Sequence, residues 1–171
     1  YSLGFPLLNY LTRQLGGGSF SSLVNGMYEW SRSMKRQAPP DGSFLQAFVQ
    51  AQRGSKHHLC GLLTYMLHAA ELRRIAANDP LTDSTGIPPF SEDRAYRLGK
   101  YARLARRLPD CPRMLDHLLE QPESKLPAAL LRSRRNFLLQ MVPDDRDTVK
   151  NYVWTEPAAA VLDSFRKPTS L

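Results

Sequence analysis

Residues 55–78 read SKHHLCGLLTYMLHAAELRRIAAN, and this stretch sets the expected fold. Ser55 is a good cap for a helix start. Stepping 100° per residue from Leu59 puts Leu59, Leu62, Leu63, Met66, Leu67, Ala70 and Ala77 on one broad face. His57, Gly61, Thr64, His68 and Glu71 fall on the opposite stripe. A helix with so wide an apolar face belongs at the centre of a helical protein.

Proline and glycine cut the flanking chain into helix-sized pieces. Gly16-Gly17-Gly18 closes a first amphipathic piece. A second runs from about Ser21 to Arg36 and stops before Pro39-Pro40. Asp41 or Ser43 caps a third that ends near Gly54. Residues 79–90, DPLTDSTGIPPF, are polar and proline-containing, and are expected to form a crossover loop. Ser91 caps a further helix to Leu108, with Glu92 and Asp93 in its first turn. Helices are expected at about 112–120 and 124–142, and another from Asp144 or Asp145. Thr155-Glu156-Pro157 starts a last one that ends near Arg166. No stretch sustains a period-two alternation of β-branched residues. The expected fold is therefore all-α, a single-domain bundle of about seven to eight helices over residues 1–171, with little or no sheet. The chain opens on Tyr1, which suggests a domain excised from a longer protein with neighbouring domains.

The net charge is +7, from 17 Arg and 6 Lys against 16 acidic residues. Arginine offers a planar fork of donors suited to phosphate and carboxylate. An acidic partner is therefore expected: RNA, DNA, or an acidic protein or lipid surface. On a helix over 91–108, Lys100, Arg103, Arg106 and Arg107 would share one face, and their repulsion would be relieved by such a partner. On a helix over 124–142, Arg132 and Arg135 face outward, and Arg134 points into the stripe of Leu130, Phe137, Leu138 and Met141. These seven residues are the expected anion-binding set. The function expected from them is a non-enzymatic interaction or regulatory module in an intracellular setting.

The alternative is a small all-α enzyme. His68 and Glu71, at i and i+3, have the spacing of an acid–base or metal-binding pair. His57, Cys60, Cys111 and His117 are zinc-type residues, but they lie inside helical patterns rather than in tight loop pairs. Two cysteines are too few for a disulfide framework, so buried thiols are expected. Arg53 is followed after four residues by His58, a spacing that resembles the R-x4–6-H element of the all-α HEPN ribonucleases. That resemblance covers six residues and implies that Arg53 and His58 act on an RNA phosphate and 2′-hydroxyl. Asp144, Asp145 and Asp147 suit N-capping better than magnesium binding. A third option is an apolar-ligand bundle lined by Met27, Tyr28, Trp30 and Met34. No phosphate-binding glycine loop is present, so no cofactor and no resident metal are expected. No run of about 18 apolar residues is present, so no membrane span is expected either.

Overall fold

The computed structural model describes residues 4–34, 42–54, 56–78, 95–96, 98–142, 145–165 and 169–170. Seven helices occur among them: α1 (Gly4–Leu15), α2 (Phe20–Ser33), α3 (Gly42–Arg53), α4 (His58–Asn78), α5 (Cys111–Glu120), α6 (Ala128–Arg132) and α7 (Glu156–Ser164). The strands are β1 (Ala95–Tyr96), β2 (Ala102–Leu108), β3 (Arg135–Val142), β4 (Asp145–Trp154) and β5 (Thr169–Ser170). The chain divides into two compact units, and the division falls inside α4, between Thr64 and Tyr65. No described helix is long and apolar enough to cross a membrane.

The first unit is helical and follows its punctuation. α1 ends where Gly16 N and Gly18 N both donate to Thr12 O, at 2.8 and 3.1 Å. Gly17 and Gly18 have φ of 58° and 88°, the left-handed region that closes helices cheaply only with glycine. A Cβ on Gly16 would come within 2.6 Å of Ser19 O. Ser19 then caps α2 by accepting from Ser22 N at 3.3 Å. α5 buries Cys111, Met114, Leu115 and Leu118, one apolar stripe at i, i+3, i+4 and i+7. That stripe lies with α1, which buries Leu7, Tyr10 and Leu11.

The second unit overturns the all-α expectation. β2, β3 and β4 form an antiparallel sheet in the order β2-β3-β4. The helix expected over 91–108 is replaced at its end by β2, and the one over 124–142 by α6 and β3. In place of the helix expected from Asp144 or Asp145, the chain forms β4 from Asp145. Residues 79–94 and 144 lie outside the described residues. Phe137, Leu139 and Met141 alternate along β3 at 1% exposure or less, which is the strand period. Tyr65 of α4 packs edge-on against Phe137, with ring centroids 5.4 Å apart. β2 reads Ala-Arg-Leu-Ala-Arg-Arg-Leu, residues that favour helix in isolation. Pairing with β3 across a long stretch of chain overrides that local preference. The last helix, α7, starts as expected: Thr155 Oγ1 accepts from Ala158 N at 3.5 Å.

α4 is helical as expected, but it does not bury one continuous face. Its first half buries Leu59, Cys60, Leu62 and Leu63. Its second half buries Tyr65, Ala69, Leu72 and Ala76, spaced i, i+4, i+7 and i+11 on a different stripe. Ala70 and Ala77, expected in the core, are exposed.

The strand period sets a mutational pattern. Leu139→Ala is expected to cost about 3 kcal/mol, the range for a truncated core leucine. Gln140→Ala should change stability by less than about 0.5 kcal/mol, as exposed sites do. Urea denaturation of the two variants checks this. A greater loss for Gln140→Ala, or for Leu138→Ala than for Leu139→Ala, would contradict the register.

Candidate functional site

On a helix, Lys100, Arg103, Arg106 and Arg107 would have made one basic face. On β2 they are separated, and three of them are consumed by carboxylates. Arg103 Nη2 and Nε donate to the two oxygens of Glu71, at 2.8 and 3.1 Å. Its Nη1 donates to Lys100 O and Ala102 O, at 2.9 and 2.8 Å. Four of its five N–H groups are thus occupied. Those hydrogen bonds from Arg103 hold the Glu71 carboxyl below its ordinary pKa. Glu71 is therefore committed first to Arg103, and the neighbouring charges of His68 and Arg74 lower its pKa further. His68, Lys100 and Arg103 line an open cleft of about 250 Å³ together with Gly99. Lys100 Nζ sits 4.9 Å from the centre of the Tyr101 ring.

Arg106 and Arg107 belong to a polar network that sequence spacing does not show. Arg106 donates to Glu156 and, at 3.3 Å, to Asp163 Oδ2. Arg107 Nη2 lies 3.2 Å from Glu156 Oε1. Asn136, 5% exposed, accepts from Arg107 N at 3.0 Å and donates to Glu156 Oε2 at 2.9 Å. The hydrogen bonds from Asn136 and Arg106 hold the Glu156 carboxyl below its ordinary pKa. Asn136 and Glu156 escaped sequence reasoning. The one available signal was an Asn at the head of the apolar run Phe137-Leu138-Leu139.

Arg132, Arg134 and Arg135 are exposed. Arg132 ends α6, and Arg135 opens β3 opposite Leu108. Arg134 does not enter an apolar stripe. Its Nη1 donates to Leu131 O at 2.9 Å and to Ser133 O at 2.7 Å. Ser133 is itself fixed, accepting from Asp110 N at 2.8 Å and donating to Leu130 O at 3.0 Å.

The Arg53–His58 pair bridges the end of α3 and the start of α4. Arg53 Nη2 donates to Gln14 O at 2.6 Å. His58 Nε2 and the Tyr10 hydroxyl are hydrogen bonded at 2.9 Å. His57 stacks on His58 with centroids 4.1 Å apart, and its Nδ1 accepts from Leu59 N at 3.2 Å. Burial, then the neighbouring His57 and Arg53, pushes His58 down to about 4. Each group thus has a structural partner in the first unit, and the ribonuclease resemblance gains no support from this geometry.

Cys60 Sγ donates to Gly54 O at 3.3 Å, and Cys111 Sγ to Gly61 O at 3.7 Å. Burial, with the Asp110 carboxylate, pushes the Cys111 thiol up to about 12, and burial also raises Cys60. His117 Nε2 is bonded to Ser124 Oγ at 2.7 Å. Among the described residues no group of three or more His, Cys, Asp and Glu is placed to hold a metal. Trp30 packs against Phe44 and Phe48, at 5.4 and 5.7 Å, while Tyr28 and Met34 are exposed. No family model matches the chain, and no curated protein or solved structure matches it either.

The burial of His58, beside His57 and Arg53, makes the fold acid-sensitive. The folded state lowers the His58 pKa from the ordinary 6.5 to about 4, so it favours the neutral ring. That stability is present above pH 6.5 and is lost as pH falls toward 4. The expected loss is on the order of 2 kcal/mol, allowing for partial burial. Urea midpoints across that range should fall for the native chain and fall less for His58→Gln, which does not titrate. Equal slopes for the two chains would refute the assignment.

Proposed function

We propose that this protein is a binding module for an acidic macromolecular partner, engaged through Arg134 with help from Arg132. One observation carries the reading: the Arg134 guanidinium is anchored through Nη1 alone. Its Nε and Nη2 make no hydrogen bond or ion pair among the described residues. Nε and Nη2 form the edge of the fork that grips a phosphate or carboxylate with two parallel hydrogen bonds. A side chain already held by two carbonyls has little rotamer freedom left to lose on binding. Arg132 is exposed two residues away and has no carboxylate partner among the described residues. The net charge of +7 adds long-range attraction for an acidic partner.

This reading uses only part of the expected basic set. Arg103, Arg106 and Arg107 serve the fold by pairing with Glu71, Glu156 and Asp163. The assignment is to binding rather than catalysis, because His57, His58, His117 and both thiols hold structural hydrogen bonds.

Fluorescence anisotropy with a labelled single-stranded RNA, a DNA duplex and a polyglutamate peptide tests this. Binding should weaken between about 50 and 200 mM salt, as counterion release requires. Arg134→Ala should weaken it by about tenfold, equivalent to about 1.4 kcal/mol, and flatten the salt slope by about one unit. Arg106→Ala should instead lower stability. The absence of saturable binding to all three probes would sink the proposal.

A further inference from the structure

β4 carries a surface that the acidic-partner reading does not use. Among the described residues this ten-residue strand pairs with β3 alone. Lys150, Asn151, Tyr152 and Val153 are all exposed, four in a row. Tyr152 is 44% exposed and Val153 58%. A strand with one buried face exposes every second residue. Four consecutive exposed residues, two of them large and apolar, show both faces open here, and the order β2-β3-β4 places the strand at the edge of its sheet among the described residues. Such an edge is a template for another strand.

The side chains indicate which strand fits. The register places Val149, Asn151 and Val153 on one face, opposite Met141, Leu139 and Phe137. Lys150 and Tyr152 lie on the other, opposite Gln140 and Leu138. A two-fold axis through Asn151 pairs this strand antiparallel with a second copy of itself. Val149 then meets Val153 of the other copy, and Lys150 meets Tyr152, each contact occurring twice. Both pairings keep to one face, as direct cross-strand neighbours must. Val–Val pairs bury the exposed apolar surface. The Lys–Tyr pairs set an ammonium against a ring, as Lys100 and Tyr101 already do within this chain. The symmetric register converts the one exposed charge of the segment from an obstacle to pairing into a contact.

We infer that β4 is a homodimerisation edge, pairing antiparallel with β4 of a second copy about an axis at Asn151 and joining two three-stranded sheets into one of six strands. The interface is small, so the association is weak, with a Kd on the order of tens of micromolar.

The register gives a sharp test. Only residue 151 faces its own counterpart, whereas Val153 lies about 13 Å along the strand from its own. Asn151→Cys should oxidise to a covalent dimer, while Val153→Cys should form at least tenfold less. The native Cys60 and Cys111 are buried and do not compete. Sedimentation of the unmodified chain supplies a measurement that needs no variant. Its mass should rise from 19.4 kDa toward twice that value with concentration. Val153→Asp should shift that rise to at least tenfold higher concentration. A chain that stays monomeric into the millimolar range overturns the inference, as does equal crosslinking at 151 and 153.

Discussion

A single buried carboxamide governs the geometry of the sheet-bearing unit. Asn136 accepts from the β2 backbone at Arg107 and donates both to Trp154 O of β4 and to Glu156 of α7. A buried amide left unsatisfied costs about 1–3 kcal/mol, so these three elements must keep their positions together. The backbone makes the arrangement possible through a bulge. Ala105 pairs with Phe137 and Leu108 with Arg135, so Arg106 and Arg107 together face Asn136 alone. Arg107 takes a left-handed φ of 55° there. The bulge also brings both guanidiniums to Glu156, at the start of α7.

The helices were legible because their signals are local. The Gly16–Gly18 stop and the Thr155-Glu156-Pro157 start each act within a few residues. The sheet was not legible because its signals are distributed. In β3 the alternation of Phe137, Leu139 and Met141 is filled in by Leu138, so the same run also fits a helical stripe with Leu130. In β2 every residue is a helix former, and the deciding partner lies across α5 and α6 in sequence. Only β4, with Thr148, Val149, Tyr152, Val153 and Trp154, has strand composition, and its acidic start imitates a helix cap. The central helix was half legible. Its existence followed from length and apolar content, but its buried stripe changes between Leu63 and Tyr65. No single helical projection represents two stripes.

The candidate site was legible as a set of arginines and illegible as a division of labour. The carboxylates that claim Arg103 and Arg106 stand 32, 50 and 57 residues away. Charge spacing along one segment contains no record of them. Arg134 was expected in the wrong neighbourhood: its anchor is the carbonyl pair of Leu131 and Ser133, not an apolar stripe. That anchor depends on α6 stopping at Arg132, and so on β3 beginning where a longer helix had been expected.

Pairing and stabilisation are also separable at the bulge. A left-handed backbone costs a non-glycine residue about 1–2 kcal/mol. The Arg107 guanidinium is 74% exposed, and an exposed ion pair such as that with Glu156 contributes about 0.2–1 kcal/mol. The ion pair therefore offsets at most part of the backbone cost. The remainder must come from the Arg107 N–H, which only this conformation delivers to Asn136 Oδ1. The backbone of Arg107 is thus held by the network, while its side chain is a minor contributor to it. The opposite holds at Arg103, whose side chain fills four hydrogen bonds on an ordinary strand backbone. Two arginines four residues apart on one strand serve the fold in different ways, and the distinction rests on backbone angles rather than on charge.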